Sequence, residues 1–281
     1  MKKDKHYKTI EQVIKHYEIE KELASKLQHS TKEERQNLYT YVYNELYTKL
    51  RQNSMEIRNS NPKLSAWVVA QRMQLLDQFL SSDSAFLEMG PGDCSLALEV
   101  SKRVKKVYAV DVSKENVKDL NFPQNFEFVI SDCSSIPVLE NSIDIAYSHQ
   151  LMEHLHPDDA IDQLQNIYKA LVPGGIYICI TPNRLSGPHD ISHHFDEVST
   201  GLHLKEYTVT ELYNLFCTAG FSKVSYYKSY KRNHVKLLLF PMTVLIFKRI
   251  EELLNALPYS LRRTIASMPM LFRGMTIVGT K

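Results

Sequence analysis

The sequence predicts an α/β fold: a doubly wound, mostly parallel sheet of seven strands, with an N-terminal helical cap and a helical insertion before the last strand. Three observations carry this. Short apolar runs alternate with helical stretches from Ser84 to Tyr227, the pattern of strands joined by crossover helices. Gly90 and Gly92 join the first run to the first stretch, where a tight turn needs residues without a Cβ. The chain has 281 residues, 43% of them hydrophobic, which supplies a full core and excludes disordered or collagen-like chains.

Residues 1–80 are predicted to be helical, because Val13, Tyr17, Leu23 and Leu27 recur at near-helical spacing among charged residues. Ser30-Thr31 followed by Glu33 and Glu34 has the form of a capping box that opens a second helix. Asn61-Pro62 ends one element, and Trp67–Leu80 supplies another helical stretch. In that second helix Tyr39, Tyr43 and Tyr47 form a stripe at i, i+4, i+8, more often a packing face than a recognition surface. The core spans 81–230, with strands at Ala85–Met89, Val107–Val110, Phe126–Ile130, Ile143–Tyr147, Ile176–Ile180 and Lys223–Tyr227. Helices are expected at Ser95–Arg103, Lys114–Leu120, Asp158–Leu171 and Thr210–Ala219. Residues 231–281 hold the insertion and the seventh strand, Gly274–Thr280.

Charge is unevenly distributed. Residues 1–80 carry a net +4, residues 81–230 a net −9 and residues 231–281 a net +7. Cys94, Cys133, Cys179 and Cys217 form no C-x-x-C pair, so reduced thiols and a cytoplasmic location are expected. The start of the chain shows no apolar stretch of the secretory kind. The longest apolar run, Leu237–Phe247, is broken by Pro241 and falls short of the ~20 residues that cross a bilayer. With Lys231, Arg232, Lys236, Lys248, Arg249, Arg262 and Arg263 beside it, peripheral contact with an anionic membrane is a secondary expectation.

Candidate ligand-binding residues sit at strand ends. Glu88 precedes the glycine turn, where a carboxylate repels a phosphate but attracts an ammonium group. Ser95 stands where a dinucleotide fingerprint has its third glycine, which counts against a pyrophosphate. Asp111 closes the second strand, placed to accept both hydroxyls of a ribose. Asp132 follows the third strand, within reach of an adenine amino group. Taken singly, the glycines read equally well as turn residues and the two aspartates as helix caps.

Together these residues resemble the class I S-adenosylmethionine-dependent methyltransferases, and in particular the type 11 and ubiquinone-pathway O-methyltransferases. The resemblance rests on Glu88-Met-Gly-Pro-Gly92, Asp111, Ser131-Asp-Cys133, Ser148-His-Gln-Leu-Met-Glu-His-Leu155, Leu171-Val-Pro-Gly-Gly175 and Thr181-Pro-Asn-Arg184. It implies a Rossmann-like core over roughly residues 84–228 that binds S-adenosylmethionine and releases S-adenosylhomocysteine. The cofactor-binding roles fall on Glu88, Gly90, Gly92, Asp111, Asp132 and Cys133, with His149 lining the same cleft.

On the acceptor side, seven histidines lie within 55 residues, from His149 to His203, and a histidine is the natural base for a hydroxyl acceptor. Gln150-Leu-Met-Glu-His154 resembles the metal-holding Glu-x-x-Glu-His segment of ubiquinone-pathway and small-RNA 2′-O-methyltransferases. His203-Leu-Lys-Glu-Tyr-Thr208 resembles the further histidine of the RNA enzymes. Glu153, His154 and His203 are therefore the catalytic candidates, acting as a metal-free base or as ligands of a divalent metal. Gln150 stands in place of the first carboxylate, which weakens the metal reading. Arg184 is a candidate partner for a substrate carboxylate. The expected reaction is methylation of a hydroxyl or carboxyl of a small, lipophilic metabolite. An RNA 2′-O-methyltransferase, or a carbon or nitrogen methyltransferase, is the alternative, and a nucleic-acid partner ranks lower because no RNA-binding module is visible.

Overall fold

The structure, a computed structural model, describes residues 9–59, 62–230, 233–268 and 271–281; of residues 51–59, 62–63, 229–230 and 233–234 it describes the backbone alone. Three helices lead the chain: α1 (Ile10–Gln28), α2 (Lys32–Asn59) and α3 (Pro62–Leu76). Thr9 opens α1 with a capping box to Gln12. The predicted box before α2 is made by Thr31 and Glu34, each side chain accepting from the other's backbone N–H at 3.3 and 2.8 Å. Asn61 and residues 1–8 lie outside the described residues.

The core begins with β1 (Ala85–Met89), α4 (Ser95–Ser101), β2 (Lys106–Asp111), β3 (Phe126–Ile130) and β4 (Ile143–His149). It continues with α5 (Pro157–Ala170), β5 (Leu171–Pro182), α6 (Val209–Ala219) and β6 (Lys223–Tyr230), and the chain ends with β7 (Asn233–Leu239), α7 (Pro241–Asn255), α8 (Tyr259–Ala266) and β8 (Gly274–Thr280). The strands form one sheet in the order β3-β2-β1-β4-β5-β8-β6-β7. The first five of these are parallel, β8 runs antiparallel between β5 and β6, and β7 is antiparallel to β6 at the edge. Strand order reverses between β1 and β4, and a doubly wound sheet opens its ligand crevice at that point, beyond the carboxyl ends of the strands.

Alternation along the strands sends side chains to two cores. Leu87, Met89, Val110 and Ala146 pack beneath α1, α2, α5 and α6, while Phe86, Ala109, Ile145 and Tyr147 pack with the α3–α4 side. Helix α5 buries Ala160, Gln163, Leu164 and Ile167, the i, i+3, i+4, i+7 stripe of an amphipathic helix.

Two expectations are corrected. Eight strands are present among the described residues rather than seven, because the apolar run expected to be wholly helical insertion starts as a hairpin strand on β6. Leu237 and Leu238 pair with Tyr226 and Ser225, and only after Pro241, suited to the first turn of a helix, does α7 start. Lys114–Leu120 is a series of turns, with Val117 and Leu120 bonded to carbonyls three residues back. Val117 is the one buried residue of this segment and Leu120 is exposed, so it has no apolar stripe to pack it as a helix against the sheet.

Helix α2 is fastened to α5 by one buried ion pair. Arg35, 3% exposed, donates to both oxygens of Asp159, 4% exposed, at 2.6 and 3.0 Å, and the Tyr39 hydroxyl donates to the same carboxylate at 2.8 Å. Removing one partner of such a pair strands the other charge. Arg35→Leu is expected to lower unfolding free energy by about 3–5 kcal/mol, whereas Lys32→Ala, which breaks the exposed pair with Asp162, costs under about 1 kcal/mol. Urea denaturation of both variants checks this, and equal losses would contradict it.

Candidate active site

At the end of β1 the chain turns through Gly90 (φ +64°) and Gly92 (φ +58°), both in the left-handed region where a Cβ is strained. The Gly90 N–H donates to the Val110 carbonyl at 2.9 Å, tying the turn to β2. A Cβ on Gly90 would sit 3.1 Å from Leu151, so the glycine also lets the loop after β4 come close. Cys94, next in the turn, is left-handed as well (φ 56°) and opens α4 without a side-chain cap. A cavity of about 140 Å³ lies over this turn. It is lined by Gly90, Gly92, Asp111 and Cys133, by Gln150 and His154, and by Tyr43 and Tyr47 of α2.

The strand-end carboxylates differ in environment. Glu88 is buried, its Oε2 has no hydrogen-bond partner, and burial pushes its carboxyl up to about 8 against the opposing pull of Arg72. Asp111 is pushed up to about 6 by burial, although backbone N–H groups of Ser113, Gly92 and Val112 hold it. Asp132 is different. Burial works to raise its carboxyl, but Ser134 and Ser135 donate four hydrogen bonds to Oδ1 at 2.7–3.2 Å and bring it below the ordinary range. Asp132 thus serves as the acceptor of a serine turn.

Neither Asp132, Glu88 nor His149 lines the cavity among the described residues. His149, expected in the cleft, instead sits with Nδ1 3.3 Å from Arg72 of α3, and burial lowers it to about 4, keeping the ring neutral. The reason is strand alternation. The chain turns at Gln150 (φ 57°), and it is Gln150, not His149, that borders the cavity.

Beyond His154 lies a second grouping that brings together all three residues named as catalytic candidates. Glu153, His154 and His203 each place one ligand atom within 4.8 Å of the others, although His203 lies 49 positions after His154 in the chain. Each is held by its remaining atom. His154 Nδ1 is 3.0 Å from the Leu202 carbonyl, which only accepts, so Nδ1 carries the proton and Nε2 keeps a lone pair. His203 Nδ1 is 2.7 Å from Glu206. Thr181 donates to Glu153 Oε2 at 2.9 Å, and Glu153 Oε1 is buried with no partner. Burial pushes Glu153 up to about 7 and lowers His154 to about 3; His203 is raised, because Glu206 and Glu153 outweigh its burial. Such outer contacts on every ligand are how metal or acid–base groups are oriented.

Gln163 and Glu206 carry no sequence signal of their own, and Tyr43 and Tyr47 read in sequence as part of a packing stripe. The tyrosine stripe divides: Tyr39 bonds Asp159 and the His156 N–H as a structural group, while Tyr43 and Tyr47 face the cavity. Arg184 donates to Glu211 at 3.1 Å on the surface, so a protein carboxylate already holds it.

Comparison with known proteins gives a consistent class. Residues 87–179 match the family model described as "Methyltransferase domain". The chain is 26% identical over 137 residues to a probable S-adenosylmethionine-dependent methyltransferase of Mycolicibacterium smegmatis, covering 48% of this chain and 51% of that one. It is 27% identical over 123 residues to a ubiquinone/menaquinone biosynthesis C-methyltransferase of Rickettsia typhi, covering 38% and 48%. The chain thus spans about half the length of the curated relatives it matches. A solved S-adenosylmethionine-dependent methyltransferase from Archaeoglobus fulgidus shares the fold, with a TM-score of 0.51 and 18% identity over 85% of this chain and 99% of that one. Residues 87–179 are thus similar to a methyltransferase domain, and the chain as a whole shares the fold of a solved S-adenosylmethionine-dependent methyltransferase.

The cofactor of that family fits the residues present. Its ammonium and sulfonium are cationic, and Glu88 offers a buried carboxylate oxygen that has no partner. The same burial gives a stability signature. In the folded chain burial pushes Glu88 up to about 8, well above the ordinary range of a glutamate, so the folded chain holds a proton that the unfolded chain has lost in this window, and stability falls as pH rises through it. Glu88→Gln removes this contribution. The variant's melting temperature should gain on the wild type between about pH 5 and about pH 8.5, as read by differential scanning fluorimetry; parallel pH profiles would rule out a buried, proton-holding Glu88.

Proposed function

We propose that the chain transfers a methyl group from S-adenosylmethionine to a hydroxyl or carboxyl oxygen of a small, largely apolar acceptor. One observation carries this reading: His154 borders the cavity over the glycine turn and also belongs to the Glu153–His203 grouping. Acceptor oxygen and cofactor would then meet across a single side chain. On this reading residues 1–80 cap the site, 81–230 bind the cofactor and 231–281 shape the acceptor side.

The bound cofactor supplies an electrophilic methyl group on a sulfonium. The chain's residues bind and orient. Asp111 accepts the ribose hydroxyls, Glu88 receives the ammonium, and Gly90 and Gly92 allow close approach of the backbone. Cys133 lines the cavity, in the adenine region by the family resemblance, with Asp132 holding that turn in shape. His203 is the better base of the two histidines. Glu206 fixes its tautomer and raises its proton affinity, whereas burial leaves His154 a weak proton acceptor. Tyr43 and Tyr47 exclude water from the cavity.

A second reading is that Glu153, His154 and His203 hold a divalent cation that polarises the acceptor hydroxyl. It is favoured by the unpartnered Glu153 Oε1 and by the outer contact on each of the three residues.

Two measurements test these assignments. Asp111→Ala should abolish S-adenosylhomocysteine binding in calorimetry while the circular dichroism spectrum is retained; unchanged affinity would remove the ribose role. With methyl-labelled cofactor and a panel of phenols, catechols and fatty acids, His203→Ala should lower turnover by about a hundredfold or more and leave cofactor affinity intact. Loss of turnover on chelation, restored by added cation, selects the metal reading. A label recovered on carbon or nitrogen would overturn the oxygen acceptor.

A further inference from the structure

Helix α7 is apolar on the side that faces away from the fold. It buries Val244, Glu251 and Leu254, with Phe247 packed against the core. On the opposite stripe Met242 is 69% exposed, Leu245 53%, Ile246 56% and Leu253 71%. A helix that only covered a core would place polar residues there. The edge strand β7 adjoins it and adds exposed Val235, Leu237, Leu238 and, at the turn, Phe240. Strand alternation puts Val235 and Leu237 on one face of β7 and Leu238 on the other, so the α7 stripe with Val235, Leu237 and Phe240 is an exposed apolar grouping of the kind proteins seldom leave open.

The charge beside this surface indicates what covers it. Residues 231–281 carry nine Lys and Arg against two acidic residues. Lys236, Lys248 and Arg249 are exposed on β7 and α7, next to the apolar stripe. Two copies of the chain packed face to face would set these like charges against each other. An anionic bilayer complements both features, because the apolar side chains enter the headgroup boundary while the cations meet lipid phosphates. No helix among the described residues is long and apolar enough to cross a membrane, so the contact is peripheral.

We propose that α7 and the end of β7 seat the protein on an anionic lipid surface.

Co-sedimentation with vesicles tests the docking surface without requiring turnover. The full chain should pellet with phosphatidylglycerol/phosphatidylcholine vesicles and not with phosphatidylcholine alone, and binding should weaken as salt is raised. Leu245→Glu with Leu253→Glu should abolish binding. Lys248→Glu with Arg249→Glu should weaken it by roughly tenfold or more. All variants should keep wild-type melting temperatures and S-adenosylhomocysteine affinity, which separates loss of docking from loss of fold or of the cofactor site. Equal binding to neutral vesicles, no binding at all, or a wild-type dimer in sedimentation velocity that the Leu245→Glu/Leu253→Glu variant dissolves would each overturn the proposal.

Discussion

Carboxylates buried at strand ends without a cation of their own are the constraint around which the site is organised. Glu88 ends β1, Asp111 ends β2 and Glu153 follows β4, and burial raises the proton affinity of all three. Parallel pairing puts the ends of β1, β2 and β4 side by side, and the nearby Asp111 adds to the upward shift of Glu88. A fold selected for stability alone would pair or remove such carboxylates. Their presence is understandable where a cationic ligand completes the set. Arg72 opposes the shift of Glu88 but leaves its Oε2 unpartnered, so the protein supplies only part of that complement.

Stability comes from elsewhere, and the same contacts that provide it position the site. The Arg35–Asp159–Tyr39 group fixes α2 against α5, and α2 carries Tyr43 and Tyr47 over the cavity. Helix α1 reaches the loop that bears His203: Glu20 accepts from the Leu202 N–H at 3.2 Å, and the Tyr17 hydroxyl donates to Asp196 at 2.6 Å. Leu202 in turn offers its carbonyl to His154. The N-terminal helices therefore act on the catalytic candidates through the backbone of a distant loop. Core packing beneath the sheet sets the register on which all of these distances depend.

Much of this was legible in the sequence because it is local. Period-two apolar runs separated by turns mark β1 to β5, and the glycine turn with its flanking Glu88 and Asp111 marks the crevice. Glu153, His154 and His203 could be singled out as residue types and were found together. What escaped was long-range or ambiguous. Leu237–Leu239 has no period that separates a strand from a buried helix, and only pairing with β6 resolves it. Tyr43 and Tyr47 meet the cavity through a contact with residues more than forty positions away, which no spacing rule encodes. Glu206 stood inside a quoted motif, but its hydrogen bond to His203 is visible only in three dimensions.

The base and metal readings draw on the same atoms, and the fold narrows the choice between them without altering the geometry. Both require imidazole lone pairs aimed at one point, and both are served when Nδ1 is occupied elsewhere, as it is on Leu202 for His154 and on Glu206 for His203. A proton acceptor needs one ring of raised basicity. Only His203 has it, because a carboxylate strengthens the basicity of its imidazole whereas a backbone carbonyl does much less for His154. A cation needs both rings neutral and a carboxylate oxygen beside them; His154 is neutral and Glu153 Oε1 is unpartnered, and a bound cation would draw off the proton that burial favours on Glu153. Under the proposed function the asymmetry between the two histidines would divide their roles: His154 would offer a lone pair and stay neutral, and His203 would do that or carry a proton, according to what occupies the point between them.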